Sequence, residues 1–358
     1  MMVKKVCHLL SFLLFLFLLF GCGAVEEEKQ TEGSPPSGDM EPLKKKTTVV
    51  IAEDGAASGA GFYIAKEKGY FEDYNIDIRF TSFANSDDML PALAAGEVDI
   101  AGGVSTASFF NAIAQGIDVK IIADKGHYFE GNSYFSFVIR EDLQEEIQEY
   151  ADLKGKRIAV SSRNAVDDYI FQRMLEHAGL TEDDVELVLM SDFGNMLAAM
   201  GSKSIDAALQ IEPLITQGEA QGLHVRFKDA TDYAPDAQIA MVLGSPGFVE
   251  TEEEVSVRFM AAYLKGIRDY NDAFLYGEGL DEVIGMMTKH TALKDPAIWK
   301  KVGVTGLDPN GRMFVEDIQK QFTMYKENGA ISGDVDFDKA VDTSLTDRAL
   351  EEIGTYSR

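Results

Sequence analysis

The sequence predicts an α/β protein built as two lobes in series, and three observations carry that prediction. Short apolar runs rich in β-branched residues alternate with segments of helical periodicity, the order that builds a sheet with helices on both faces. The turns from run to helix consist largely of small residues, as at Gly55–Gly61 and Gly102–Thr106. An extended stretch at Ser133–Arg140 then interrupts the alternation, which restarts after it.

The chain opens with Lys4 and Lys5, followed by the mostly Leu and Phe run Leu9–Phe20 of twelve residues. A membrane-spanning helix needs roughly 20 apolar residues, so residues 1–21 read as an export segment. The run ends in Leu19-Phe20-Gly21-Cys22, which resembles the lipobox of a lipoprotein signal, and Cys22 is expected to become the lipid-carrying N-terminus. Residues 22–46, mainly Glu, Lys, Ser, Pro and Gly, have almost nothing to bury and read as a disordered tether. Cys7 and Cys22 are the only cysteines, which leaves the folded part without a disulfide or a thiolate ligand. The formal charge is −27, and losing Lys4 and Lys5 takes it to −29. Phosphate backbones repel such a chain, so nucleic acid is excluded as a partner. The acidity reads as a solubility trait of an exposed protein rather than as a determinant of ligand choice.

In chain order, Thr48–Ala52 is the first strand, and Phe62–Lys68 a helix closed by Gly69, a residue able to take the left-handed conformation. Ile76–Phe80 completes a βαβ unit. Asp87–Ala95 is a helix with Met89, Leu90 and Leu93 on one face, Val98–Ala101 a strand, Ser105–Gln115 a helix and Val119–Ala123 a strand. Ser133–Arg140 is expected to cross into the second lobe. There, strands are expected at Arg157–Val160, Val185–Met190, Ile205–Ile211 and Val225–Phe227. Between them lie a helix with Val166, Ile170, Met174 and Ala178 at helical spacing, a helix from Met196, and one opened by Pro213. Ile239–Leu243 is expected to be the return crossing, after which the pattern is helical: Glu252–Tyr276, Leu280–Lys289, Val315–Lys326 and a further helix in the tail from Asp334.

Four motifs along this path carry a family resemblance. They are Phe62-Tyr63-Ile64-Ala65-Lys66-Glu67-Lys68-Gly69-Tyr70-Phe71, Leu90–Ile100, Asp152–Val160, and Ile205-Asp206-Ala207-Ala208 with Glu212-Pro213. Together they resemble the extracytoplasmic solute-binding proteins that serve ABC importers for sulfonates, taurine, nitrate and thiamine-pyrimidine precursors. The resemblance implies a periplasmic-binding-protein-like fold of type II, with two crossing hinge strands and a ligand cleft between the lobes. Residues 47–128 and 244–358 would form the first lobe, and 129–243 the second, including the hinge strands. It further implies a monomer without cofactor, lipid-anchored outside a bacterial cell membrane, that closes about a hinge on a small molecule and delivers it to permease and ATPase subunits.

Within such a fold, the loops before helix N-termini face the cleft, where free N–H groups and partial positive charge suit an anion. The candidate contacts are Ser58 and Gly59 in the first loop, Ser105 and Thr106 in the second, and Ser161, Arg163 and Asn164 in the third. The hydroxyl and amide residues serve equally as helix caps. Arg163 offers a bidentate guanidinium for an anion, or a surface pair with Asp167 or Asp168. Asp192 and Glu212 end strands of the second lobe and can accept from an amine or cap helices. Phe62, His127, Tyr128 and Phe193 supply candidate walls, or core.

The expected ligand is a small organic anion of the sulfonate, taurine or nitrate type. A thiamine-pyrimidine precursor or another aromatic heterocycle is the alternative. Binders of such precursors in this family carry an Asp-Trp-x-Pro-Asn segment, where this chain has Glu53-Asp54-Gly55-Ala56. No hydrolase, P-loop or zincin motif is present, and Asp334, Asp336 and Asp338 imitate a calcium loop that lacks its Gly and closing Glu. No enzyme activity and no metal are expected. The remote alternatives are a pyrimidine-synthase-like enzyme, for which the cysteine-rich segment is missing, and a sensory ligand-binding module.

Overall fold

Two five-stranded sheets organise the chain in a computed structural model that describes residues 40–130, 134–250 and 253–358. The expected export segment and Cys22 lie outside the described residues, as does the tether through residue 39. The end of that tether is corrected. Leu43 is buried in the core, and its N–H donates to the Tyr74 carbonyl at 3.2 Å, because its apolar side chain has a place against the first helices. Among the described residues no helix is long and apolar enough to cross a membrane.

The first lobe begins β1 (Thr47–Glu53), α1 (Ala60–Glu67), α2 (Tyr70–Asp73), β2 (Ile76–Ser82), α3 (Ser86–Ala94), β3 (Ile100–Gly103), α4 (Ala107–Ala114) and β4 (Lys120–His127). The second contains β5 (Phe135–Arg140), β6 (Arg157–Val160), α5 (Val166–Ala178), β7 (Glu186–Leu189), α6 (Phe193–Gly201), β8 (Ala207–Ile211), α7 (Leu214–Ala220) and β9 (His224–Arg226). The chain then returns through β10 (Gln238–Gly244), α8 (Pro246–Glu250), α9 (Glu253–Tyr276), α10 (Leu280–His290), α11 (Pro296–Trp299), α12 (Val315–Glu327), α13 (Phe337–Ala340) and α14 (Ser344–Ile353).

The sheet orders are β2-β1-β3-β10-β4 and β7-β6-β8-β5-β9. Each holds three parallel strands, joined by antiparallel pairing to the strand that enters from the other lobe. This is where the strand expectation for 239–243 is corrected. Those residues are not a crossing but the inner strand β10 of the first sheet, paired with both β3 and β4. All seven residues of β10 are buried, and a strand so apolar is stable only with neighbours on both edges. The chain passes between the lobes after β4 and before β10, and the two passages are tied where the Tyr128 N–H donates to the Ala237 carbonyl at 3.0 Å.

Helices cover both faces of the first sheet. On one side Val49, Ile51 and Ile64 meet Tyr263 and Trp299; on the other Leu93, Phe110 and Met241 meet Phe322 and Tyr325 of α12. The long α9 lies against α1 at a distance that only glycine permits, since a Cβ on Gly266 would fall 2.2 Å from the Gly61 carbonyl oxygen. Phe137, Ile158, Phe171 and Tyr233 form the main core of the second lobe.

Candidate functional site

The strand-to-helix turns of both lobes converge on one cleft, as open α/β sheets require. The lobes touch at its ends. The Ala57 N–H donates to the Glu212 carbonyl at 3.1 Å, the Ala107 N–H donates to the Asn164 carbonyl at 2.8 Å, and Thr106 forms an antiparallel bridge with Ala165. Between these contacts lies a narrow inner cavity of about 40 Å³. It opens past Asp54, Phe193 and Ile211 into a broader outer region of about 460 Å³.

The floor of the inner cavity is a buried ion pair. Glu53 ends β1 and Lys125 lies in β4, and the Lys125 Nζ stands 3.2 Å from Glu53 Oε1 and 3.1 Å from Ser58 Oγ. The Tyr63 hydroxyl donates to Glu53 Oε2 at 3.1 Å. Burial pushes the Glu53 carboxyl up to about 7 against the opposing pull of Lys125. Gly102 of β3 makes room for the pair: a Cβ there would lie 1.8 Å from Glu53 Oε1 and 2.4 Å from Lys125 Cε. Beside it Tyr134 is fully buried, and its hydroxyl makes no hydrogen bond of acceptable geometry among the described residues.

Three further carboxylates line the cavity: Asp54, Asp87 and Asp167. Asp54 Oδ1 accepts from the Ala56 N–H at 3.0 Å. Burial pushes the carboxyl of Asp167 up to about 6, although the hydroxyl of Ser161 and its N–H, at 3.3 Å, donate to Oδ2. Burial also raises Asp87. Lys125 is the only lining cation among the described residues and is already paired, so the field inside the cavity is negative. The walls are apolar, with Val104, Phe135, Ile211 and Ile239, and the Phe193 ring standing edge-on to Phe135 at 6.1 Å. The inner cavity can admit an amine or ammonium group and supply hydrogen-bond acceptors for it, while a ring has room in the outer region beside Phe193.

The structure brings together only some of the residues singled out from the sequence. Ser58, Thr106, Ser161 and Phe193 line the inner cavity, and Asp192, Phe193 and Glu212 line the outer region. Asp192 caps α6, accepting from the Asn195 N–H at 2.7 Å. The Glu212 carboxylate turns inward to Arg226, Thr216 and the Gly303 N–H, the last at 3.0 Å.

The remaining six line neither region. Gly59 packs under the Tyr63 ring. Phe62 is core, 4.5 Å from the Tyr263 ring. Ser105 is buried against Gln321 and Tyr325. His127 lies in a separate groove beside Phe129, its Nδ1 3.2 Å from Asp124 Oδ2. Arg163 is bonded to Glu182 Oε2 at 2.7 Å and to Asp168 at 3.4 Å, so its charge is spent within its own lobe. Asn164 accepts from the Asn328 side chain at 3.1 Å and joins Arg163 in a groove outside the cleft. Tyr128, also read as a wall, is fully buried and its hydroxyl donates to the Phe135 carbonyl.

Sequence reasoning passed over Lys125, Asp87 and Asp167. A signal existed for the first: Asp124-Lys125 directly follows the apolar run Val119–Ala123, and charges that continue a buried strand need a partner.

Comparison with known proteins agrees with this architecture. YtlA of Bacillus subtilis (strain 168) is 22% identical over 252 residues, which is 70% of each chain. The zinc-bound ligand-binding component of an ABC-type import system from Staphylococcus aureus superposes with a TM-score of 0.69 at 17% identity, covering 85% of this chain and 99% of that one. The periplasmic aliphatic sulphonate-binding protein SsuA of Escherichia coli gives 0.66 at 20% identity, covering 83% and 92%. These likenesses establish the two-lobed binding-protein fold. A family model matches residues 57–272, from the first cleft loop through most of α9, and on that match the chain belongs to the NMT1/THI5 like family.

Proposed function

We propose that this chain is an extracytoplasmic solute-binding protein of an ABC importer whose ligand is a small, flat, amine-bearing heterocycle. One observation carries the ligand reading. Asp54, Asp87 and Asp167 line the inner cavity, while Lys125 is matched by Glu53. A protonated amine offsets that charge and gives the carboxylates donors, whereas a sulfonate or nitrate adds to it. The import-system proteins of similar fold support capture for a permease and ATPase as the role, and the Cys22 motif supports a lipid anchor at the outer face of the membrane. In this reading the protein acts as a monomer and converts nothing; closure around the solute is its task.

A small organic anion is the second reading. It is favoured by the placement of Lys125 Nζ and Ser58 Oγ together at the cavity floor. Calorimetry with aminopyrimidines, other aromatic amines, taurine, alkanesulfonates and nitrate separates the two. Amine binding weakened about tenfold or more by Asp167→Asn supports the first reading. Tight alkanesulfonate binding that disappears in Lys125→Met overturns it. For the anchor, a Cys22→Ala protein still membrane-bound and free of lipid mass would show that the lipid reading is wrong.

A further inference from the structure

Asp87 lies in the first turn of α3 in the first lobe and Asp167 in the first turn of α5 in the second, yet both line the same inner cavity. They come together where the lobes meet, beside the Thr106–Ala165 bridge. An acid in the first turn complements the helix end, which accounts for each residue singly. It does not account for two carboxylates from different lobes facing one cavity whose only cation among the described residues already belongs to Glu53. Asp167 is only 4% exposed, and the negative charge of Asp87 is felt at its carboxyl. The Thr106 and Ser108 side chains interact with the Asp87 carboxyl, while its Oδ1 makes no hydrogen bond of acceptable geometry among the described residues. Independently of the acids, the fully buried Tyr134 hydroxyl, in a residue that lines this cavity, interacts with the Ser58 side chain but makes no hydrogen bond of acceptable geometry among the described residues, so the pocket holds polar capacity that these residues use only weakly.

We propose that Asp87 and Asp167 are the specificity-determining pair of the cleft and couple ligand charge to lobe closure. The structure shows the arrangement in which the lobes touch; in solution without ligand, the like charges of the pair shift the population away from that contact. An amine cation lodged between them converts the repulsion into a bridge, one carboxylate from each lobe on one cation. A neutral or anionic solute of the same shape leaves the repulsion in place and does not close the protein. The coupling rests on the amine reading of the ligand, but its first half, repulsion in the unliganded protein, is measurable without any ligand.

The test is a distance measurement between one spin label on each lobe, at the exposed positions Glu97 and Glu186, in the full chain. Unliganded wild type is expected to show a long distance that shortens when an aromatic amine of the calorimetric panel is added, and not when taurine or an alkanesulfonate is added. Asp87→Asn and Asp167→Asn are each expected to shift the unliganded protein toward the short distance and to weaken amine binding about tenfold or more. Asp87 is half-buried, so its amide variant serves if the Asp167 variant fails to fold. Unliganded distances identical in wild type and both amide variants overturn the proposal, as does an unliganded wild type that is already closed. If the variants close but no amine binds wild type, the repulsion stands and the ligand reading falls. If amines bind and close wild type while the unliganded variants behave like it, the ligand reading stands and the coupling falls.

Discussion

Gly102 shows how one residue sets the chemistry of the cleft. The buried Glu53–Lys125 pair occupies the volume that any side chain at position 102 would need, and neither partner can leave without stranding the other's charge. Gly102→Ala is therefore expected to cost roughly 1–3 kcal/mol or more by overpacking, read from urea unfolding. Unchanged stability would show that the pair has room to move. Asp167 makes a prediction of opposite sign. Its carboxyl titrates at about 6 rather than 3.8, so its contribution favours the fold fully below the lower value and is lost as pH rises through the upper one. At pH 8 the wild type carries a penalty of at most about 3 kcal/mol that Asp167→Asn lacks. The variant is expected to be the more stable protein at pH 8 and no more stable near pH 4. A loss of stability at pH 8 would mean that the charge is welcome where it stands.

At the scale of elements, the helix ends do two jobs that look alike in a sequence. Thr106 caps α4, accepting from the Phe109 N–H at 3.0 Å, and also lines the cavity. Thr106→Ala is expected to cost about 1 kcal/mol in thermal or denaturant unfolding. Arg163 precedes α5 in the same way, but its guanidinium reaches sideways to Glu182. Arg163→Ala is expected to change stability by under about 1 kcal/mol, because the pair is partly exposed. Its ligand affinity should match wild type in calorimetry; a large drop would return Arg163 to the cleft. Strand β10 makes the same point for sheets, since its apolar run suits a crossing or an inner strand and only its two neighbours distinguish them.

For the whole molecule, a net charge of −27 and an acidic cavity act in one direction. Association of a cationic solute is expected to slow as salt is raised, and that of an anion to quicken. Stopped-flow binding at low and high ionic strength tells the two apart even before the ligand is named. Binding of a solute to the folded protein is also linked to stability. At a ligand concentration of 100 times Kd, unfolding should require about 2.7 kcal/mol more, a thermal shift large enough to screen candidates.

How much was legible follows the range of the interactions. Strand runs such as Arg157–Val160, the helix carrying Val166, Ile170 and Met174, and the glycine that ends it are dictated by periodicity and local backbone preference, so the sequence by itself determined these elements and their two-lobed order. Lobe-entry pairing, by contrast, joins Met241 to Gly103 and Phe135 to Ile211, contacts that no local pattern specifies. The site was legible where a residue sits in a strand-to-helix turn, as Ser58, Thr106 and Ser161 do. It was not where direction mattered: Arg163 found Glu182, Glu212 found Arg226, and Lys125 turned from a strand into the cleft floor. Only the tertiary structure decided which charges face the ligand. A charged side chain is placed by the partner that offsets its desolvation, and here those partners are up to 72 residues away, the Glu53–Lys125 separation.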